Sequence, residues 1–306
     1  MRSKITDCHH RRLLLVILFW CGSFSVHYAQ ESFAVVLNRP QPIAGQEFQI
    51  KAKIRKGQRT AFDSGSERRE TNAIVTSELL AHCTIITNVK SSEEIVVKVA
   101  RFMEHDGFNS AILLPEGTLV IASKVGKEMT FTAEGHQLSP RVSKVLGELT
   151  RFGPTAIDCP ADEAFGTETP KKVGDKWKVN RDCVKNAVSK FFGSIQAREI
   201  DASMTLLDIE EVHGIKCLRL GLSLVLHSDQ PLPRIAQDPK NQRYQTTWDT
   251  KIRFKVAILL PVDDKLPPML QEEKGEGVAN ARMDSGEIIA GIEIRYELER
   301  TVELIK

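Results

Sequence analysis

Apolar and charged residues alternate over long stretches of this chain. Phe48, Ile50, Ala52 and Ile54 stand between Glu47, Gln49, Lys51, Lys53 and Arg55. Ile252, Phe254, Val256, Ile258 and Leu260 alternate with Lys251, Arg253 and Lys255 over much of their length, and Ile292, Ile294, Tyr296, Leu298, Val302 and Leu304 alternate with Glu293, Arg295, Glu297, Glu299 and Glu303. Leu218, Leu220, Leu222, Leu224 and Leu226 repeat the pattern against Cys217, Arg219, Gly221 and Ser223. A period of two puts one apolar and one polar face on an extended strand, as in an antiparallel sheet with one wet side. Further strands are expected at Ala73–Asn88, Glu94–Met103, Asn109–Leu114, Thr118–Ser123, Met129–Ala133 and Ala202–Glu211. Turn residues separate several of them, at Lys90-Ser91-Ser92, Asp106-Gly107, Pro115-Glu116-Gly117, Val125-Gly126 and His213-Gly214. Strands follow one another without the strand–helix alternation of a parallel sheet.

Two segments change period. Ser139-Pro140 offers a helix N-cap and a proline at the first helical position, and Val142, Val145, Leu146 and Leu149 then share one face. Asn180 caps a second expected helix with Val184, Val188, Phe191 and Phe192 as its stripe and Gly193 as its stop. Both stripes read as core contacts. The fold class expected is α+β and mainly antiparallel β: a curved, half-barrel-like sheet of long amphipathic strands covered by two helices. His227–Gln245 and Pro261–Gly286 lack periodicity and are expected as long loops, with Gln271-Glu272-Glu273-Lys274-Gly275-Glu276-Gly277 flexible.

The amino terminus reads as an address. Basic Met1–Arg12, apolar Leu13–Cys21 and small, polar Gly22–Ala29 form the pattern of a secretory signal peptide cleaved near Ala29. The apolar run is too short to cross a bilayer, and no later segment is apolar for the ~20 residues a transmembrane helix needs. Trp20 before Cys21 disfavours a lipidation site. The expected organisation is a signal peptide over 1–29 and one β-rich domain over 30–306, or two halves meeting near 150–170. Secretion or a periplasmic location follows.

Charge then looks different. The whole chain of 306 residues carries a formal +2, but residues 1–29 hold Arg2, Lys4, Arg11 and Arg12 against Asp7 alone, which leaves −1 for the rest. No basic surplus remains for a nucleic acid. Of the six cysteines, Cys83, Cys159, Cys183 and Cys217 lie beyond residue 29. Four cysteines in an oxidising compartment have three ways to pair. Cys159 and Cys183 flank the central loop region and make one candidate pair. No C-x-x-C and no N-x-[ST] is present.

Reactive constellations are weak. His82 and Cys83 are neighbours on an expected strand, so they point to opposite faces. Glu104-His105-Asp106-Gly107 holds metal-competent side chains, but Asp106-Gly107 is ordinary hairpin chemistry. Histidines 82, 105, 136, 213 and 227 show no ligand spacing. Asp162-Glu163 and Asp263-Asp264 read as solvated acidic pairs in loops. No catalytic residue, metal or cofactor is assigned, and an enzyme is the less favoured reading.

The most distinctive stretch is Pro170-Lys171-Lys172-Val173-Gly174-Asp175-Lys176-Trp177. Pro-x-x-Val-Gly-Asp-x-Trp resembles a motif of uncharacterised secreted and lipoprotein-like bacterial families with β-rich domains, over residues 160–227. The resemblance implies class and location, not chemistry. Physically, Gly174-Asp175 suits a tight turn and Trp177 a large core anchor. The expected layout is also similar to that of half-barrel carriers of lipids and lipoproteins. That likeness is one of layout only; the signal pattern, the long amphipathic strands and the missing catalytic constellation make a noncatalytic extracytoplasmic binder, of an apolar ligand or an envelope partner on a curved sheet, the expected function. The alternatives are a structural or assembly module docking an envelope protein, and a hydrolase with an unrecognised site.

Overall fold

The structure is a computed structural model and describes residues 31–38, 43–63, 68–89, 92–125, 128–150, 159–185, 197–230, 246–283 and 288–305. The expected signal peptide lies outside them. The chain divides into two compact units, Met1–Ser32 and Phe33–Lys306. Only Glu31 and Ser32 of the first are described.

The second unit is built on one curved, unclosed antiparallel sheet. Its strands are β1 (Glu47–Asp63), β2 (Arg68–Val89), β3 (Ser92–His105), β4 (Ser110–Leu114), β5 (Leu119–Val125), β6 (Glu128–Ala133), β7 (His136–Gln137), β8 (Lys176–Lys178), β9 (Glu199–Val212), β10 (Ile215–Ser228), β11 (Thr246–Pro261), β12 (Leu270–Met283) and β13 (Ile288–Ile305). The order is β7-β6-β5-β3-β2-β1-β13-β12-β11-β10-β9-β8, and β4 pairs with β3 beside β5. Two meanders thus meet where the first and last strands pair, from Glu47 opposite Ile305 to Phe62 opposite Ala290. Among the described residues no pairing joins β7 to β8, and both terminal strands are very short, which leaves little template for edge-to-edge association.

Register puts both main cores on one face. Residues directly opposite across a ladder share a face, and Ile50 stands beside Ala81 and Val302, and Ile54 beside Leu298. Leu298 continues to Glu273, Glu273 to Val256 and Val256 to Leu222. One cluster gathers Ile50, Ile54, Leu79, Ile95 and Phe102 from β1–β3; another gathers Leu206, Leu218, Leu220, Leu226 and Ile252 from β9–β11. β13 serves both, with Ile292 and Ile294 packed on the second and Tyr296 and Leu298 on the first. The opposite, outer face carries most of the sheet's charges and one small cluster of Cys217, Leu259 and Met269.

Three helices are described, not two: α1 (Pro140–Thr150), α2 (Ala161–Phe165) and α3 over 181–185. The expected stripe beyond Val184 lies outside the described residues. α1 lies on the inner face with Leu146 and Leu149 fully buried. Its charged contacts cross the sheet in order. Arg141 pairs with Glu104 of β3, Glu148 with Lys56 of β1, and the Thr150 carbonyl accepts from Arg300 of β13 at 2.8 Å.

The expected loop over Pro261–Gly286 is corrected by β12, a central strand. Its charges find partners across the ladders: Arg219 meets Glu210 at 2.9 Å and Glu272 at 3.3 Å, and Arg253 meets Glu276 at 3.7 Å. Gly275 admits the Phe254 ring, whose Cδ2 would lie 2.9 Å from a Cβ there. Glycine in a strand here marks a close side-chain approach.

Candidate functional site

The motif residues Gly174, Asp175 and Trp177 form a turn bolted to β9. Gly174 has φ +91°, a conformation that costs other residues strain. The Asp175 carboxylate accepts from the Lys172 amide at 2.8 Å, and the Asp175 amide donates to the Lys172 carbonyl at 3.0 Å. Gly174 N–H donates to Leu206 O and Leu206 N–H to Asp175 O. Trp177 is 9% exposed within the second core, and its indole N–H donates to Phe165 O at 2.8 Å. Lys171 lies 5.7 Å from the ring centroid. These contacts tie the stretch to β9 and to Phe165 of α2 and bury its indole in the core.

A disulfide joins Cys159 to Cys183, tying the start of α2 to α3. Glu163 belongs to the same cluster, with its carboxylate 3.9 Å from the Cys183 sulfur. Both sulfurs are bonded to each other, so the three do not form a thiolate metal site. Asp162 departs from the expected solvated pair. Its carboxylate accepts from the amides of Leu37 at 2.6 Å and Asn38 at 3.2 Å, while the Asn38 side-chain oxygen accepts from Ala161 N–H at 2.9 Å. This reciprocal pair pins the segment carrying buried Phe33 and Val35. Sequence reasoning missed it because the partners lie 125 residues apart.

The other chemistry-bearing residues disperse. Cys83 is buried and His82 exposed beside Gln49, on opposite faces as alternation requires. Burial pushes the Cys83 thiol up to about 12. Asp106 accepts from the amides of Asn109 and Phe108, which hold its carboxyl below the ordinary range. His105 lies 2.7 Å from the Ser110 hydroxyl within the same hairpin. The Lys53 ammonium, at 2.8 Å, likewise lowers Glu78 on the outer face. A thiol assay follows from this arrangement. A chain starting at residue 30 should show no reactive thiol when native, two after unfolding (Cys83 and Cys217) and four after reduction. Rapid labelling of the native protein would contradict the burial of both.

Two surfaces remain as candidates for recognition. On the inner face, where the two cores adjoin, Leu222, Phe254, Val256, Ile292, Ile294 and Tyr296 are only half-buried. Buried Glu273 lies at one end of this band, with Gln271 donating to it and Arg300 donating to Gln271 at 2.7 Å. An apolar strip with a polar end is suited to an amphiphile. On the outer face, a depression of about 320 Å³ is lined by Arg55, Gly57, Arg59, Ile74, Arg295 and Glu297, among others.

No family model and no curated protein matches this chain. Among solved structures it is similar to an outer membrane channel from Pseudomonas putida F1, at 7% identity and TM-score 0.22, over 89% of this chain and 99% of that one. A mutant porin of Rh. blastica aligns at 10% identity and TM-score 0.21, over 82% and 99%. The attachment invasion locus protein Ail of Yersinia pestis aligns at 5% and 0.13, over 85% and 99%. At such TM-scores these likenesses carry no argument about function. Among the described residues no helix is long and apolar enough to cross a membrane.

Proposed function

We propose that this protein is a noncatalytic extracytoplasmic binding protein that receives an apolar or amphiphilic ligand on the inner face of its curved sheet. One observation carries the reading: on the inner face, Leu222, Phe254, Val256, Ile292, Ile294 and Tyr296 of β10, β11 and β13 remain half-buried where the two cores adjoin. Apolar surface left in a continuous strip loses the hydrophobic gain of about 25 cal/mol per Å² until something covers it. Buried Glu273 and the neighbouring Gln271–Arg300 pair would face the polar end of such a ligand. The amino-terminal signal pattern supports the location.

Solvent extraction of purified protein followed by lipid mass spectrometry should recover a bound amphiphile, and a fluorescent fatty-acid probe should bind saturably. Ile294→Glu should weaken the probe at least about tenfold by placing a charge in the band. Clean protein with no saturable probe binding sinks the proposal.

A second reading has its own observation. Phe108 is 99% exposed at the β3–β4 turn and Ile112 70% exposed on β4, a surface suited to docking an envelope protein. A photocrosslinker at position 108 that captured one dominant partner, with no extractable lipid, would favour it.

A further inference from the structure

The outer-face depression has the plan of a three-by-three grid. Its middle row is Ile74–Gly57–Arg295, flanked by Thr76–Arg55–Glu297 and Asn72–Arg59–Glu293. The centre is empty because Gly57 has no side chain. Nothing in the fold requires that glycine: its φ lies outside the left-handed range, and an added Cβ would meet only Arg295 Cβ, at an ordinary 3.7 Å. A glycine in the interior of a strand weakens the strand, and such a glycine often marks a bulge, a bend or the close approach of a ligand or another backbone.

The charges around this floor are divided. Arg59 is held by Glu70 at 2.6 Å and Arg295 by Glu293 at 2.6 Å. Arg55 and Glu297 stand directly opposite each other on β1 and β13, yet among the described residues neither forms an ion pair. One cation and one anion, neighbours in the row beside the open floor, are complementary to a short ligand carrying both charges. Ile74, 37% exposed, offers apolar contact for a short carbon link.

We infer that the Gly57 depression binds a short zwitterion, its anionic carboxylate or phosphate on Arg55 and its ammonium on Glu297. Arginine offers a planar donor fork to either anion. This site is on the face opposite the proposed apolar ligand and does not depend on it.

Calorimetric titration of the full chain tests the assignment, using ethanolamine phosphate and L-alanine as zwitterions and inorganic phosphate and ethanolamine as their halves. At least one zwitterion should bind saturably, at least tenfold tighter than either half. Gly57→Val, which fills the floor with a strand-compatible side chain, should abolish binding. Arg55→Gln and Glu297→Gln should each weaken it tenfold or more, with thermal midpoints near that of the parent protein. Flotation with phosphatidylethanolamine vesicles identifies the source: variant-sensitive vesicle binding assigns a lipid headgroup, and binding of the free zwitterion alone assigns a soluble one. No saturable zwitterion binding, equal binding of inorganic phosphate, or binding that survives Gly57→Val, Arg55→Gln and Glu297→Gln overturns the inference.

Discussion

Trp177→Ala should destabilise the native protein by about 3–5 kcal/mol, the range for removing a large buried aromatic side chain. The ring packs in the core with Met204, Leu206 and Val184. Its N–H is bonded to Phe165 O, so truncation leaves that carbonyl unsatisfied as well as a cavity. The consequences extend outward because the motif turn, α2 and the pinned segment at Phe33 are joined around this side chain. Trp177→Phe separates the contributions. It keeps most of the apolar volume and loses the hydrogen bond, so a smaller loss of about 1–3 kcal/mol is expected. Equilibrium urea unfolding followed by circular dichroism reads both. A near-neutral alanine variant would show that the ring is not a core anchor and would turn attention to a ligand platform at the motif.

Leu149→Ala should cost about 2–5 kcal/mol. Leu149 and Leu146 are both fully buried beneath α1, where they close the core of β1–β3. The ion pair beside them is worth far less. Lys56 and Glu148 are 41% and 28% exposed, so solvent screens them and Glu148→Ala should cost less than about 1 kcal/mol. If apolar packing holds the helix, Leu149→Ala also exposes inner-face surface and raises binding of an apolar dye at intermediate urea. A Glu148→Ala effect larger than that of Leu149→Ala would mean instead that the charged contacts seat α1.

Much of the sheet was legible because the pleat is a local property. Ile50, Ala52 and Ile54 alternate with charges and are buried as a set, and the five leucines from Leu218 to Leu226 behave alike apart from half-buried Leu222. The start of α1 was legible too, from Ser139-Pro140 and an apolar stripe at helical spacing. Alternation failed where side chains are polar or absent. Lys56–Asp63 and Gln271–Gly277 have little apolar signal and become strand because long neighbours pair with them on both sides.

The candidate sites were less legible than the fold. Gly57 looks like any strand glycine until β2 and β13 place Ile74 and Arg295 beside it. Asp162 looks like half of a solvated acidic pair until the Leu37 and Asn38 amides reach it.

The sequence by itself determined the strands' period, their amphipathic faces and the turn at Gly174-Asp175. Each depends on residues only a few positions apart, so backbone geometry and side-chain polarity suffice. Only the tertiary structure decided that β1 and β13 join two meanders, that both main cores share one face, and that Cys159 and Cys183 are partners among three pairings. Those outcomes depend on register and on contacts between residues far apart in the chain, where many alternatives satisfy the same local pattern until the whole sheet assembles.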